Sequence, residues 1–123
     1  MTEFGATPYL LSGVIPGLDP GIQVSLRFGM AGFVYILTNK RNGTLYTGVT
    51  ADIARRMDEH RHRPEGFVAQ YGLSQLVFYE THPRIEDAIQ RETSIKRWPR
   101  KWKLKLIEEL NPEWRDLIEE LNQ

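Results

Sequence analysis

A small α+β domain, a three-stranded antiparallel sheet flanked by helices, is the fold class that this 123-residue sequence predicts. Three observations lead there. Two runs rich in β-branched and aromatic residues, Phe33-Val34-Tyr35-Ile36-Leu37 and Thr44-Leu45-Tyr46-Thr47-Gly48-Val49, flank Asn42-Gly43, a pair that favours a tight turn with positive φ. A third such run, Leu76-Val77-Phe78-Tyr79, follows a break at Gly72. Between and after these runs the apolar residues recur at helical spacing.

Residues 1–29 are punctuated by Gly13, Pro16, Gly17, Pro20 and Gly21, so no long element fits there. They are expected to form a flexible or irregular extension, even one lying upstream of the true start; a short edge strand around Gln23–Phe28 is the alternative. The domain is expected over residues 30–105. Its first strand is apolar on both faces and should be central. The second strand, with Tyr46-Thr47-Gly48, completes a hairpin, and the third is placed at Gln75–Glu80. Thr50 or Asp52 can cap a helix running to about Arg61, with Ile53 and Met57 on its buried side. Ile85, Ala88, Ile89, Glu92 and Ile95 define a second helix over Arg84–Trp98, stopped by Pro99. A third spans about Trp102–Leu110. Residues 106–123 are expected to form a helical tail packed on the domain. In it Asn111 caps a last helix, Pro112 opens its first turn, and Trp114, Leu117, Ile118 and Leu121 share one apolar face.

The 41% apolar and 11% aromatic content suits a globular chain. With no cysteine, disulfides and thiolate metal sites are excluded. That absence fits a reducing compartment, and a cytoplasmic location is expected. No apolar run approaches the roughly 20 residues that span a bilayer, and the N-terminus lacks the basic region of a secretory signal. The net charge of zero conceals an asymmetry: residues 30–105 carry 14 Lys and Arg against 8 Asp and Glu, whereas residues 106–123 carry one Arg against six acids. A basic middle suits a polyanionic partner.

Several side chains could carry chemistry. Tyr35 and Tyr46 lie on adjacent strands and can approach one another, although strand tyrosines more often serve as packing residues. Gly48 would allow close backbone approach to a ligand or relieve a bulge. Arg56 and His60, four residues apart, share a helix face. There a guanidinium could clamp phosphate and an imidazole could move a proton; a solvated basic helix is the competing reading. Glu92 falls within the core-facing stripe of its helix, where a carboxylate needs a cation or donors. One inward acid with water and phosphate can hold Mg²⁺; a local pair with Lys96 is the alternative.

In this order the pieces resemble the GIY-YIG nuclease family, in particular short single-domain members related to the nuclease domain of the bacterial excision-repair nuclease C subunit. Val34-Tyr35-Ile36 corresponds to the first motif and Tyr46-Thr47-Gly48 to the second. Asp52 through His60 resembles the Arg-bearing helix, Phe67 through Tyr71-Gly72 the linking segment, Leu76 through Glu80 the third strand, and Ala88 through Lys96 the metal-binding helix. The resemblance runs from about Gly32 to Trp102. It departs where Phe33-Val34 replaces the leading Gly, where Thr47 replaces the second motif's Ile, and where no Asn follows the metal-binding Glu.

The resemblance implies hydrolysis of a phosphodiester bond with one divalent cation, Mg²⁺ or Mn²⁺. Tyr35 would activate or orient the attacking water, Tyr46 would hold water or phosphate, Arg56 would steady the pentacovalent phosphate, and His60 would aid proton transfer. Glu92 would anchor the metal. A phenol with an ordinary pKa of about 10 is a difficult base, so local cations must lower it, or hydroxide or neutral His60 must take the proton. Arg55, Arg63, Lys96, Arg97, Arg100 and Lys101 are expected to contact the nucleic acid, with DNA the expected partner, RNA left open, and no membrane. A structure-selective or weakly sequence-selective DNA endonuclease, with a role in DNA repair, is the leading expectation. The alternatives are a non-catalytic nucleic-acid-binding module on the same fold and a protein-interaction domain docking through Trp114, Leu117 and Leu121. Glu92 discriminates, because a pure binder needs no inward acid.

Overall fold

The computed structural model describes Pro20, Ile22 and residues 29–121. The expected irregular extension over residues 1–29 and the alternative strand at Gln23–Phe28 thus lie largely outside the described residues. Ile22 itself is buried in the core.

The hairpin forms as expected. β1 (Gly32–Thr38) pairs antiparallel with β2 (Leu45–Thr50), matching Tyr35 to Gly48 and Leu37 to Tyr46. The connection is longer than a two-residue turn. Gly43 N–H donates to Lys40 O (2.9 Å), and Asn42 rather than Gly43 takes the positive φ, 58°. β3 (Gln75–His82) pairs with the other edge of β1, giving the order β2-β1-β3 with β1 central. A bulge interrupts the β1–β3 register: Ile36 faces Phe78 and Leu37 faces Leu76, so Val77 has no opposite number. The extra residue turns Val77 and Phe78 toward the same core.

Each face of the sheet buries its own cluster, as a central strand apolar on both sides requires. On one face Val34, Ile36, Val77 and Phe78 pack with Ile85, Ala88 and Ile95 of α3 (Ile85–Arg97) and Ile107 of α4 (Arg100–Leu110). On the other, Tyr35, Leu37 and Leu76 pack with Ile53 and Met57 of α1 (Ile53–His62) and with Val68 of α2 (Gly66–Tyr71). Asp52 is the cap of α1, its Oδ1 accepting from Arg55 N–H at 3.1 Å, while Thr50 Oγ1 accepts from Asp52 N–H at 3.1 Å. α2 forms within the expected linking segment; six residues are too few to show a helical period in the sequence. α4 begins at Arg100, earlier than expected, because Pro99 O accepts from Trp102 N–H and Lys103 N–H. It runs unbroken through residues 105 and 106.

The tail corrects one expectation. Asn111 does not open a long helix; Pro112 and Glu113 form a turn, Trp114 takes φ 56°, and only Ile118–Leu121 is helical, as α5. Asn111 is buried and spends its amide on tertiary bonds instead. Its Nδ2 donates to Val77 O (3.0 Å) and Arg115 O (2.8 Å), and its Oδ1 accepts from Arg115 N–H (3.0 Å). The expected single apolar face is split accordingly: Trp114 joins the α3–α4 cluster, whereas Leu117, Ile118 and Leu121 pack on the α1 side. Leu117 N–H donates to Leu76 O (2.7 Å), and Asp116 Oδ1 accepts from Leu76 N–H (3.3 Å). Among the described residues no helix is long and apolar enough to cross a membrane.

Candidate active site

The hairpin register places Tyr35 and Tyr46 diagonally on one sheet face, with ring centroids 6.3 Å apart. Gly48 stands directly across from Tyr35. A Cβ at Gly48 would lie 2.4 Å from Tyr35 Cζ and from Tyr35 Oη, so only glycine leaves room for the phenol. The space is taken by a side chain of this same chain, and the bulge lies on the opposite edge of β1. α1, anchored by Ile53 and Met57, brings His60 over this face. His60 Nε2 lies 2.9 Å from Tyr35 Oη in a buried hydrogen bond, and its ring is 6.0 Å from that of Tyr46.

Burial dominates the electrostatics. It pushes the Tyr35 phenol well above its ordinary value; the Tyr46 phenol and the Glu92 carboxylate add to the rise, and the Arg56 guanidinium opposes it. Burial, and then the Arg56 cation, lower His60 to about 4, against a small upward pull from Glu59. At neutral pH the phenol is therefore protonated and the imidazole neutral. With its proton on Nδ1, His60 can accept the Tyr35 proton at Nε2. Arg56 donates to Glu59 Oε1 at 2.9 Å, and Arg55 pairs with Glu59 Oε2. These bonds, that of Arg56 first, hold the Glu59 carboxyl below the usual carboxylate range.

Tyr46, Arg56 and His60 open onto one cavity of about 560 Å³, together with Glu59, Arg63 and Phe67. Glu92 stands apart. α3 covers the opposite sheet face, and Glu92 does not line this cavity. Its side chain is only 12% exposed, however, so it is not aimed at bulk solvent, and its charge reaches the Tyr35 phenol. Lys96, one turn on, pairs with Glu92 Oε2 at 2.7 Å.

Residues 31–105 match the family model of the GIY-YIG catalytic domain, which is more than half of the chain. The chain belongs to the GIY-YIG family. It is 37% identical over 81 residues to a UPF0213 protein of Staphylococcus epidermidis, covering 63% of this chain and 94% of that one. It is 44% identical over 70 residues to a UPF0213 protein of Desulfotalea psychrophila, covering 54% of this chain and 61% of the other. The solution structure of a UPF0213 protein from Bacillus halodurans is also similar, with 30% identity, a TM-score of 0.48, and coverage of 71% and 93% of the two chains.

The GIY-YIG segment holds Tyr35, Tyr46, Gly48, Arg56, His60 and Glu92 within its matched span. Of the basic residues singled out in the sequence, Arg63 lines the cavity and Arg55 pairs with Glu59. Lys96 pairs with Glu92, whereas Arg100 donates to Asn42 O (2.8 Å) and Gly43 O (2.6 Å), tying α4 to the hairpin turn. Arg97 and Lys101 are exposed around the α3–α4 junction. Sequence reading missed Glu59 and Phe67. Glu59 had a signal, since it falls three and four residues after two arginines on a helix. Phe67 had little, because α2 is too short to announce its faces.

Proposed function

We propose that this GIY-YIG chain is a metal-dependent endonuclease that hydrolyses phosphodiester bonds in DNA, with weak sequence selectivity or selectivity for substrate structure. The observation that carries the reading is the 2.9 Å contact between Tyr35 Oη and His60 Nε2, set beside Arg56 at the edge of a cavity lined by Arg56, Arg63, Glu59 and Glu65. Tyr35 is too weak an acid to work as a phenolate base, but it can work as a relay. It takes a proton from the attacking water as it passes its own to neutral His60, so the new P–O bond forms with Tyr35 again protonated and His60 an imidazolium. Substrate binding would favour this step. A phosphate beside Arg56 offsets that cation, the second cause after burial of the low His60 value, and so makes the imidazole easier to protonate. Arg56 then faces the charge that grows on the pentacovalent phosphorus, and Tyr46 can orient a non-bridging oxygen or the water.

A divalent cation, Mg²⁺ or Mn²⁺, would be held by Glu92. One largely buried carboxylate supplemented by water and phosphate oxygen is an acceptable donor set for Mg²⁺, and the exposed Lys96 ammonium can swing away to free the oxygen that it holds. When bound, the cation supplies charge stabilisation to the leaving oxygen. The P–O bond to that oxygen breaks, the leaving oxygen takes a proton from solvent, and the His60 imidazolium releases its proton to solvent, so that the relay resets.

The Glu92–Lys96 pair also favours a second reading, a nucleic-acid-binding module without catalysis, because it satisfies the acid with no metal. Incubating branched and linear DNA with wild type, Glu92→Ala and Arg56→Ala, with and without Mn²⁺, separates the two. Cutting that requires Mn²⁺ and both side chains supports the nuclease. Salt-sensitive binding by wild type, with no cleavage under any condition, supports the module.

A further inference from the structure

The cavity has an aromatic margin that the catalytic reading leaves unused. The Tyr46 ring stacks on Phe67, with centroids 6.2 Å apart and planes 29° apart, and Phe67 meets Tyr71 at 4.7 Å. Tyr46 is half-buried at the cavity wall, but Phe67 is 44% and Tyr71 43% exposed. This exposure does not come from a loose helix. Val68 and Leu73 are buried beneath α2, and Gly72, at φ 62°, turns the chain so that Leu73 N–H reaches Val68 O at 3.0 Å. The backbone is fixed from below while the i, i+4 spacing turns both rings outward on one side.

Two partly exposed rings are thus held beside a cavity lined by Arg56, which is paired with Glu59, by Glu65 and by Arg63. Arg63 has no ion-pair partner among the described residues, so its charge is available to an anion. An occupant matching both features is anionic and carries exposed aromatic planes. A nucleic-acid strand with an unpaired base meets this description. A paired duplex does not, since its base faces are already stacked on their neighbours.

We propose that Phe67 and Tyr71 form a stacking platform for an unpaired base beside the scissile phosphate, so that single-stranded segments and flaps are the preferred substrate. The position of the scissile phosphate rests on the nuclease reading above; the platform itself rests on the ring geometry.

The test uses the full chain in EDTA, where no metal-dependent cutting occurs. It compares a single-stranded oligodeoxynucleotide containing 2-aminopurine with its duplex. Tighter binding of the single strand, with a change in 2-aminopurine emission, is expected. Phe67→Ala and Tyr71→Ala should each weaken single-strand binding roughly tenfold and leave duplex binding nearly unchanged. Phe67→Trp should restore the preference that Phe67→Ala loses, and thermal melts of each variant check that it is folded. Equal affinity for both forms, or folded alanine variants that bind the single strand as wild type does, would overturn the platform. The two proposals fail separately: ring-dependent binding without Mn²⁺-dependent cutting sinks only the nuclease, and cutting without single-strand preference sinks only the platform.

Discussion

At the scale of single residues, His60 and Tyr35 are the pair on which the proposed relay and the pH dependence of stability depend. An unfolded His60 would titrate near its ordinary 6.5, and the folded one near 4. Between those values the unfolded chain binds the proton more readily. Stability from this group is complete above pH 6.5, declines as the pH falls toward 4, and changes no further below that. The loss should be on the order of 3 kcal/mol. Urea melts between pH 4 and 7 should show it, and His60→Gln should flatten the slope in that window. Glu59 and Glu80, both held below the usual carboxylate range, lose stability in the same direction but only from about pH 5 downward, so the part of the slope above that point reports His60. Tyr35→Phe keeps the buried ring and removes only the hydroxyl, at a cost to folding of about 1 kcal/mol. If the relay operates, cleavage should fall roughly 100-fold or more with the fold intact; a Tyr35→Phe enzyme that cuts at the wild-type rate would rule out the relay. That Tyr35, Tyr46, Arg56 and His60 gather on one side of the sheet was legible in the sequence, because strand register and helical spacing fix which faces they share. Which group is the base was not legible, since that depends on how deeply each ring is buried.

At the scale of elements, the hairpin is tuned around one missing methyl group. Gly48→Ala would drive a Cβ to 2.4 Å from the Tyr35 ring, so a loss of about 1–3 kcal/mol is expected from overpacking. In a Tyr35→Ala background the same change should cost much less, and a double-mutant cycle measures the difference. Asn111 offers a second handle. Replacing it with Ala leaves the carbonyls of Val77 and Arg115 short of a donor, which should lower the unfolding free energy by about 2–3 kcal/mol. The three strands and the three long helices, α1, α3 and α4, were readable because their periods persist for enough residues to be unambiguous. The region after Leu110 was not. Asn111 followed by Pro112 looks the same in sequence whether the asparagine caps a helix or bonds across to β3, and only the position of Val77 at the bulge decides between them.

At the scale of the whole molecule, charge and layering determine how the chain meets a polyanion. The basic excess over residues 30–105 includes side chains already committed within the fold, Arg100 at the hairpin turn and Lys96 on Glu92. The number of ions displaced by DNA should therefore be smaller than the formal charge suggests. A plot of log affinity against log salt should give a slope set by a few phosphate contacts, each contributing about −0.9 on duplex DNA. Arg100→Ala should change thermal stability more than that slope, whereas Arg63→Ala should do the reverse.

The last residues of the chain also have a consequence for how copies of the protein behave toward one another. β3 is an outer strand, and its free side is occupied by Leu117, Asp116 and Asn111, which take up the peptide groups of Leu76 and the carbonyl of Val77. A strand left bare there would offer a ready template for a neighbour's backbone. Cutting the chain after Leu110 should thus do more than loosen the core. It should bare backbone groups of β3 in addition to the outer edge of β2, visible as growth in light scattering at concentrations where the intact chain stays clear.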